Sequence, residues 1–154
     1  MNEKRALEIV GAMLTDMTIN DLSIPAAHLL ILQSALVFAS QSVKSPHHAE
    51  MHRDLATRMQ DALKTLYPYD FTRPMTQKDL NAAAKTEAPL RMAMTGRDLY
   101  LSVCSLQLMS RYPEAQPIMW TLVALGGRFQ NLIVRSHPNA KTLLNMGWDS
   151  RNDR

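Results

Sequence analysis

The spacing of hydrophobic residues predicts a helix from Ser45 to about Leu66. Its apolar positions recur every three or four residues, while charged and polar residues occupy the opposite face. The apolar stripe consists of Met51, Leu55, Met59, Ala62, Leu63 and Leu66. Ser45 followed by Pro46 is typical of a helix start, because serine caps free backbone N–H groups and proline fits the first turn.

The same periodicity predicts helices over most of the remaining chain. They span residues 3–18, 25–44, 76–85, 98–111 and 114–136, and a last turn or two carrying Leu143 and Leu144 ends at Gly147. No segment alternates between apolar and polar residues over the length of a strand, so no sheet is predicted. We therefore expect an all-α protein. It would be a compact single-domain bundle of six or seven helices over residues 1–148, with an irregular linker at 67–74 and a polar tail at 149–154.

Two of the predicted helices, 25–44 and 98–111, are apolar on nearly every side. A helix of that kind must be enclosed by other helices or by a second subunit. We expect a homodimer, because an isologous dimer is the commonest way to cover an excess apolar face. The candidate interface residues are Leu29, Leu36 and Val43 on helix 25–44, and Met119, Val123 and Val134 on helix 114–136.

Helix 114–136 also contains the adjacent glycines Gly126 and Gly127. Two glycines inside a helix cost about 2 kcal/mol relative to two alanines. We therefore expect either a close helix contact or a kink at this point.

The charge of the chain is unevenly distributed. Residues 1–70 contain six Lys/Arg against eight Asp/Glu, whereas residues 71–154 contain eleven against six, so the second part holds the whole basic surplus of a chain whose net charge is +3. This bias permits an acidic or polyanionic partner. The alternative function is therefore nucleic-acid binding by a helix-turn-helix-like segment, 76–98, with a second helix at 88–94. Its phosphate contacts would be Lys78, Lys85, Arg91 and Arg97, and Arg128 with Arg135 is the next basic candidate.

The sequence gives little support for catalysis or metal binding. His48 and His52 have the four-residue spacing that lets two imidazoles share a metal, but no glutamate follows His48 as it does in zinc-protease helices. We interpret both as histidines packed at the edge of the core. Glycine-rich phosphate loops and Gly-x-Ser-x-Gly elbows are missing from the sequence. We thus assign no catalytic, cofactor-binding or metal-binding residues.

The single cysteine, Cys104, lies in an apolar run, which indicates an inert core thiol and a reducing compartment. We identify no signal peptide at the N-terminus, and the apolar stretch 24–43 contains polar residues that argue against a membrane span. The function we expect is that of a non-catalytic, cytoplasmic interaction or adaptor protein that forms a homodimer.

Overall fold

The computed structural model describes residues 2–65, 75–85 and 89–149. Within these ranges the chain forms seven α-helices and a sheet of only two strands, which confirms the all-α class and the expected helix number. The helices are α1 (Glu3–Leu14), α2 (Ala26–Ser42), α3 (Pro46–Lys64), α4 (Gln77–Ala84), α5 (Gly96–Met109), α6 (Met119–Ser136) and α7 (Lys141–Asp149), and the strands are β1 (Ile19–Ile24) and β2 (Leu90–Thr95). The predicted linker at 67–74 and the tail beyond residue 149 lie outside the described residues.

The strand pair corrects the expectation that the chain has no sheet. Residue 18 accepts a backbone hydrogen bond from Gly96, and the Asn20 side chain donates to the Met94 carbonyl, so β1 and β2 run antiparallel. In β2, the buried Met92 and Met94 alternate with the exposed Arg91 and Ala93. This alternation is visible in the sequence but lasts only six residues, and the pairing strand lies some 70 residues away.

Contacts between backbone positions group the chain into two compact units. The terminal unit contains the chain up to Asn20 and from Ala93 onward, and the central unit is Asp21–Met92. The chain passes from one unit to the other within β1 and again within β2. The prediction of one domain over residues 1–148 stays a prediction.

In the central unit α2 packs against α3 and α4. Ten of its 17 residues are buried, which accounts for the missing polar face. The fully buried leucines of α2 are Leu29, Leu30, Leu32 and Leu36. α3 contributes the predicted stripe, of which Leu55, Met59 and Leu63 are fully buried. Ser45 caps α3 by accepting a hydrogen bond from the His48 N–H, as the sequence predicts.

In the terminal unit α5 packs against α1, α6 and α7. α5 begins at Gly96, two residues earlier than predicted, because Thr95 and Asp98 form a capping box. The Thr95 hydroxyl accepts from the Asp98 N–H at 3.1 Å, and the Asp98 carboxylate accepts from the Thr95 N–H at 3.0 Å. The core between these helices includes fully buried Val103, Leu106, Leu122 and Phe129.

α1 ends at Leu14 rather than at residue 18. The Thr15 hydroxyl donates to the Gly11 carbonyl at 2.8 Å, and the Asp16 carboxylate accepts from the Thr18 N–H at 3.0 Å, which turns the chain into β1. Gly96 lies directly against Asp16, where any side chain on the glycine would overlap the carboxylate. The N-terminus of α5 therefore packs closely against the turn that follows α1.

α7 is fitted closely to α5 and α6 through two glycines. A Cβ atom on Gly126 of α6 would overlap the Trp148 ring, and one on Gly147 would overlap the Gln107 side-chain amide. The close contact expected at the glycine pair is confirmed at Gly126. Gly147 lies inside α7 instead of ending it, so its predicted capping role is wrong. Its missing side chain leaves room for Gln107.

Buried amides complete the attachment of α7. Gln107 donates to the Leu144 carbonyl at 2.7 Å, and the Trp148 indole N–H donates to the Gln130 side-chain oxygen at 3.0 Å. The Gln130 amide nitrogen in turn donates to the Asn145 side chain. Because Gln107 and Gln130 are buried, an unmade hydrogen bond at either one would be costly.

The two adjacent glycines of α6 provide a matched test of this packing. Gly126→Ala should lower the free energy of unfolding by about 1–3 kcal/mol, because the added methyl group overlaps Trp148. Gly127→Ala should not destabilise the protein and should add up to about 1 kcal/mol from helix propensity, because its Cβ atom meets nothing within 4 Å. Urea unfolding followed by circular dichroism, at equal low protein concentration, measures both. Equal effects would contradict the close contact at Gly126.

Candidate functional site

α6 carries a row of exposed apolar residues on the side away from the core of the terminal unit. Of the surface of Trp120, 89% is exposed, and of Val123, 39%. Ala124 is also exposed, and Gly127 and Val134 are half-buried. Because these positions are three, four or seven residues apart, they share one side of the helix. We define the Trp120 face as Trp120, Val123, Ala124, Gly127, Asn131 and Val134.

The opposite side of α6 is the one that the terminal unit buries. It presents Leu122, Leu125, Phe129 and Ile133, all buried. α6 thus has two apolar sides, and the packing within the unit covers only one of them. An exposed tryptophan flanked by further apolar residues is typical of a protein-binding surface.

Pro117 sets the start of α6 and so the position of Trp120. The predicted helix 114–136 is divided, because Pro113–Ile118 forms a 3₁₀ segment and the α-helix begins only at Met119. Proline has no N–H for a hydrogen bond and disfavours helical backbone in the residue before it. Trp120 therefore lies in the first turn of α6, at one end of the Trp120 face.

The Trp120 face has a raised end and a low centre. The indole of Trp120 projects at the N-terminal end, whereas Gly127, at the centre, has no side chain and has open space where one would stand. Ala124 lies one turn from this glycine. Small residues at the centre allow another helix backbone to approach closely.

Only positive charges border the Trp120 face on α6 itself. Arg128 and Arg135 are both exposed, and the sequence of α6, Met119–Ser136, contains no aspartate or glutamate. These two arginines are the second basic candidate that the sequence predicts. In the structure they lie along one edge of an apolar face.

The predicted interface residues divide between core and surface. Val123 is exposed on the Trp120 face, and Met119 and Val134 are half-buried on α6. Leu29 and Leu36 are fully buried in the central unit, and Val43 is half-buried just after α2 ends. The choice of Leu29 and Leu36 as partner contacts is corrected, because α3 and α4 of the same chain pack against α2.

Trp120, the most exposed apolar residue of α6, is missing from the predicted interface. Helical spacing alone could have predicted that Trp120 is exposed. The spacing of apolar residues in α6 predicts that Ala124 and Asn131 lie opposite the core, and Trp120 falls on the same side as these two residues. Hydrophobicity alone assigns a tryptophan to the core, and only the rotation of α6 in the fold places it outside.

The basic segment 76–98 does not form a helix-turn-helix. α4 is followed by the strand β2, so the predicted second helix at 88–94 is wrong. Lys78, Lys85 and Arg91 are exposed in the central unit. Arg97 belongs to the terminal unit, where it is half-buried, and its Nε atom is buried without a hydrogen-bond partner.

Asp16 and His137 form a hydrogen-bonded pair that the sequence analysis did not identify. The His137 Nε2 atom donates to the Asp16 carboxylate at 2.8 Å, and this bond, with that from the Thr18 N–H, holds the pKa of Asp16 below its usual value. The two residues are 121 positions apart, and no local pattern links them. The pair joins the turn after α1 to the end of α6.

A cavity of about 180 Å³ lies beside His137. It is lined by Arg5, Glu8, Ile9 and Ala12 of α1 and by Ser136, His137, Pro138 and Asn139. Arg5 and Glu8 form an ion pair with each other at 3.4 Å. The Asp16–His137 pair at the edge of this cavity holds the turn after α1 to the end of α6, because Asp16 accepts hydrogen bonds from both His137 and the Thr18 N–H.

His48 and His52 occupy different environments. His48 is exposed, whereas His52 is buried and its Nδ1 donates to the His48 carbonyl at 2.6 Å. Burial lowers the pKa of His52 below its usual value of 6.5, and the hydrogen bond to His48 acts weakly in the opposite direction. Among residues 2–65, 75–85 and 89–149, no group of three or more His, Cys, Asp or Glu side chains is arranged to hold a metal ion.

Comparison with known proteins provides no relative. The chain matches no protein-family model, no curated protein and no solved structure. In the part of the chain that the structure describes, no helix has both the length and the hydropathy needed to cross a bilayer.

The buried His52 should make the protein sensitive to acid. Because folding lowers its pKa, the unfolded chain takes up the proton first, so this contribution to stability is present above pH 6.5 and is lost as the pH falls through the folded-state pKa. His52→Asn, which can keep the donor to His48, should reduce the fall in melting temperature between pH 7 and pH 5. His47→Asn is the exposed control and should leave that fall unchanged. If His52→Asn behaves like the control, His52 is not protonated on unfolding as we infer.

Cys104 should react slowly in the folded protein. Burial raises the pKa of its thiol from 9.0 to about 11, with Tyr100 one helical turn away as its hydrogen-bond partner. At pH 8 this shift reduces the thiolate fraction, so iodoacetamide should modify Cys104, which is half-buried, at least about tenfold more slowly than in urea-unfolded chain. Equal rates in the two states would show an accessible, reactive thiol and contradict this assignment.

Proposed function

We propose that this chain is a non-catalytic interaction or adaptor protein, that the Trp120 face is its docking surface, and that its partner is a second copy of itself. The observation that carries the proposal is the 89% exposure of Trp120 beside exposed Val123 and Ala124. Trp is among the residues most enriched at the centres of protein interfaces. The reducing compartment inferred from the single Cys104 supports a cytoplasmic location.

The energy available from Trp120 is large for one side chain. A tryptophan buries about 150–250 Å² in an interface, which at about 25 cal/mol per Å² corresponds to about 4–6 kcal/mol before the costs of association. Those costs are of the same order or larger. Trp120 alone therefore does not hold two proteins together, and the remainder of the Trp120 face has to contribute.

The size of the Trp120 face supports a reversible association. From Trp120 to Val134 it extends about 21 Å along α6, at about 1.5 Å per residue. One helix face of that length supplies less than the roughly 800 Å² per partner of a standard stable interface. We thus expect dimers that form and dissociate with concentration.

Two observations support the non-catalytic part of the proposal. The Asp16–His137 pair holds the α1 turn to the end of α6, and the half-buried thiol of Cys104 has a raised pKa. Nucleic-acid binding stays the alternative prediction. The predicted helix-turn-helix is missing, so this alternative is supported only by the exposed basic side chains of the segment.

Truncating Trp120 should weaken self-association. We expect Trp120→Ala to raise the dimer dissociation constant about 30-fold or more, since interface hot spots cost at least about 2 kcal/mol on truncation. Leu7→Ala is the matched control, because Leu7 is 64% exposed on α1, outside the Trp120 face. Sedimentation velocity over a concentration series measures both. An unchanged association in Trp120→Ala, or a monomeric parent protein, would overturn the proposal.

A further inference from the structure

The cavity beside His137 combines two opposite charges with an apolar floor. It has a volume of about 180 Å³ and lies between α1 and residues 136–139, at the end of α6. α1 supplies Arg5, Glu8 and the buried Ile9. We propose that this cavity binds a small zwitterion, an α-amino acid with a short aliphatic side chain. Its carboxylate lies against Arg5 and its ammonium group against Glu8.

The charge of the cavity favours a ligand that is neutral overall. Among the described residues that line it, Arg5 and Glu8 supply one charge of each sign. Because the two charged groups approach to 3.4 Å, an anion drawn to Arg5 is repelled by Glu8, and a cation drawn to Glu8 is repelled by Arg5. A ligand that carries both charges avoids this conflict.

The distance between the two charges selects an α-amino acid, which carries its ammonium and carboxylate groups on one carbon atom. Placed antiparallel to the Arg5–Glu8 pair, such a ligand forms a ring of four charges with alternating sign, in which all neighbours attract. In γ-aminobutyrate a chain of methylene groups separates the two charges. That ligand cannot meet both partners without folding back on itself.

The other wall of the cavity supplies hydrogen-bonding groups. The Nε2 atom of His137 donates to Asp16 at 2.8 Å, which fixes the ring and leaves Nδ1 as its second hydrogen-bonding atom. In the neutral ring Nδ1 is an acceptor, which suits an ammonium group. Ser136 and Asn139, both exposed, add a hydroxyl and an amide that can bond to either end of the ligand.

The size and floor of the cavity limit the side chain of the ligand. Ile9 is buried, and Ala12 and Pro138 also line the cavity, so the side chain meets apolar groups. The volume corresponds to about six water molecules at about 30 Å³ each, which accommodates alanine or valine. Because so small a ligand makes few contacts, we expect a dissociation constant of about a millimolar.

Titration of the isotope-labelled protein with L-alanine, followed by NMR, tests the proposal. We expect saturable shifts of the backbone amide signals of Ile9, Ala12 and Asn139, which line the cavity. Propionate and isopropylamine each carry only one of the two charges and should bind about tenfold more weakly, because one charged partner stays unused. γ-Aminobutyrate should also bind about tenfold more weakly.

Two substitutions on α1 remove the charges one at a time. Arg5→Gln and Glu8→Gln should each weaken L-alanine binding about tenfold, because one end of the zwitterion loses its partner. Each should also relieve the repulsion of one single-charge probe, so Glu8→Gln should bind propionate more tightly than the parent protein does. Lys4→Gln and Glu3→Gln are the matched controls. Both residues are exposed on α1 outside the cavity lining, so L-alanine binding should stay unchanged.

Three outcomes would overturn the proposal. Equal binding of propionate and L-alanine would indicate a simple anion site at Arg5. Equal binding of γ-aminobutyrate and L-alanine would show that the charge spacing selects nothing. If L-alanine causes no saturable shift well above the expected dissociation constant, Arg5 and Glu8 are an ordinary surface ion pair.

The site is independent of the proposed function. The Trp120 indole signal on α6 should not respond to L-alanine, because Trp120 does not line the cavity. Failure of self-association would therefore leave the amino-acid site standing, and failure of L-alanine binding would leave the Trp120 face as the proposed docking surface. Shifts confined to the Trp120 face would contradict the site proposed here.

Discussion

The fit of α7 against α5 and α6 is the constraint on which the terminal unit depends. Gly126 and Gly147 each leave room for one side chain of a neighbouring helix, Trp148 and Gln107 respectively. Hydrogen bonds from Gln107 and Trp148 then fix the position of α7 along its own axis. Because a shift by one residue along either helix would bring a side chain into collision or leave an amide unbonded, this packing has one register.

This packing also sets the rotation of α6. With Gly126 turned toward Trp148, Leu122, Phe129 and Ile133 face inward and Trp120 is turned to the surface. The adjacent glycines thus have different roles. Gly126 makes room for Trp148 of the same chain, whereas Gly127 lies on the exposed side with nothing near it. The cost of Gly127 to helix stability is therefore not offset inside the unit.

The sequence predicts local structure here more successfully than it predicts which surfaces meet. α3 and its serine cap follow directly from periodicity and from Ser45 with Pro46. The sequence does not predict β2, because six alternating residues are a weak signal when the pairing strand is distant in sequence. It predicts partner contacts for Leu29 and Leu36 of α2, because a pattern of hydrophobic residues does not distinguish packing against α3 and α4 from packing against another chain. The sequence predicts Gly147 as a helix cap, but in the structure it lies inside α7 with Gln107 packed against it.

The two tryptophans allow the central claim to be measured in one sample of the native chain. Trp120 is exposed on α6, while Trp148 is hydrogen-bonded to Gln130 inside the terminal unit. In a dilution series followed by NMR of the two indole N–H signals, we expect the Trp120 signal to shift with protein concentration and to lose access to a soluble paramagnetic probe. The Trp148 signal should stay constant as an internal control. A Trp120 signal that remains constant and fully accessible up to the solubility limit would contradict self-association through the Trp120 face.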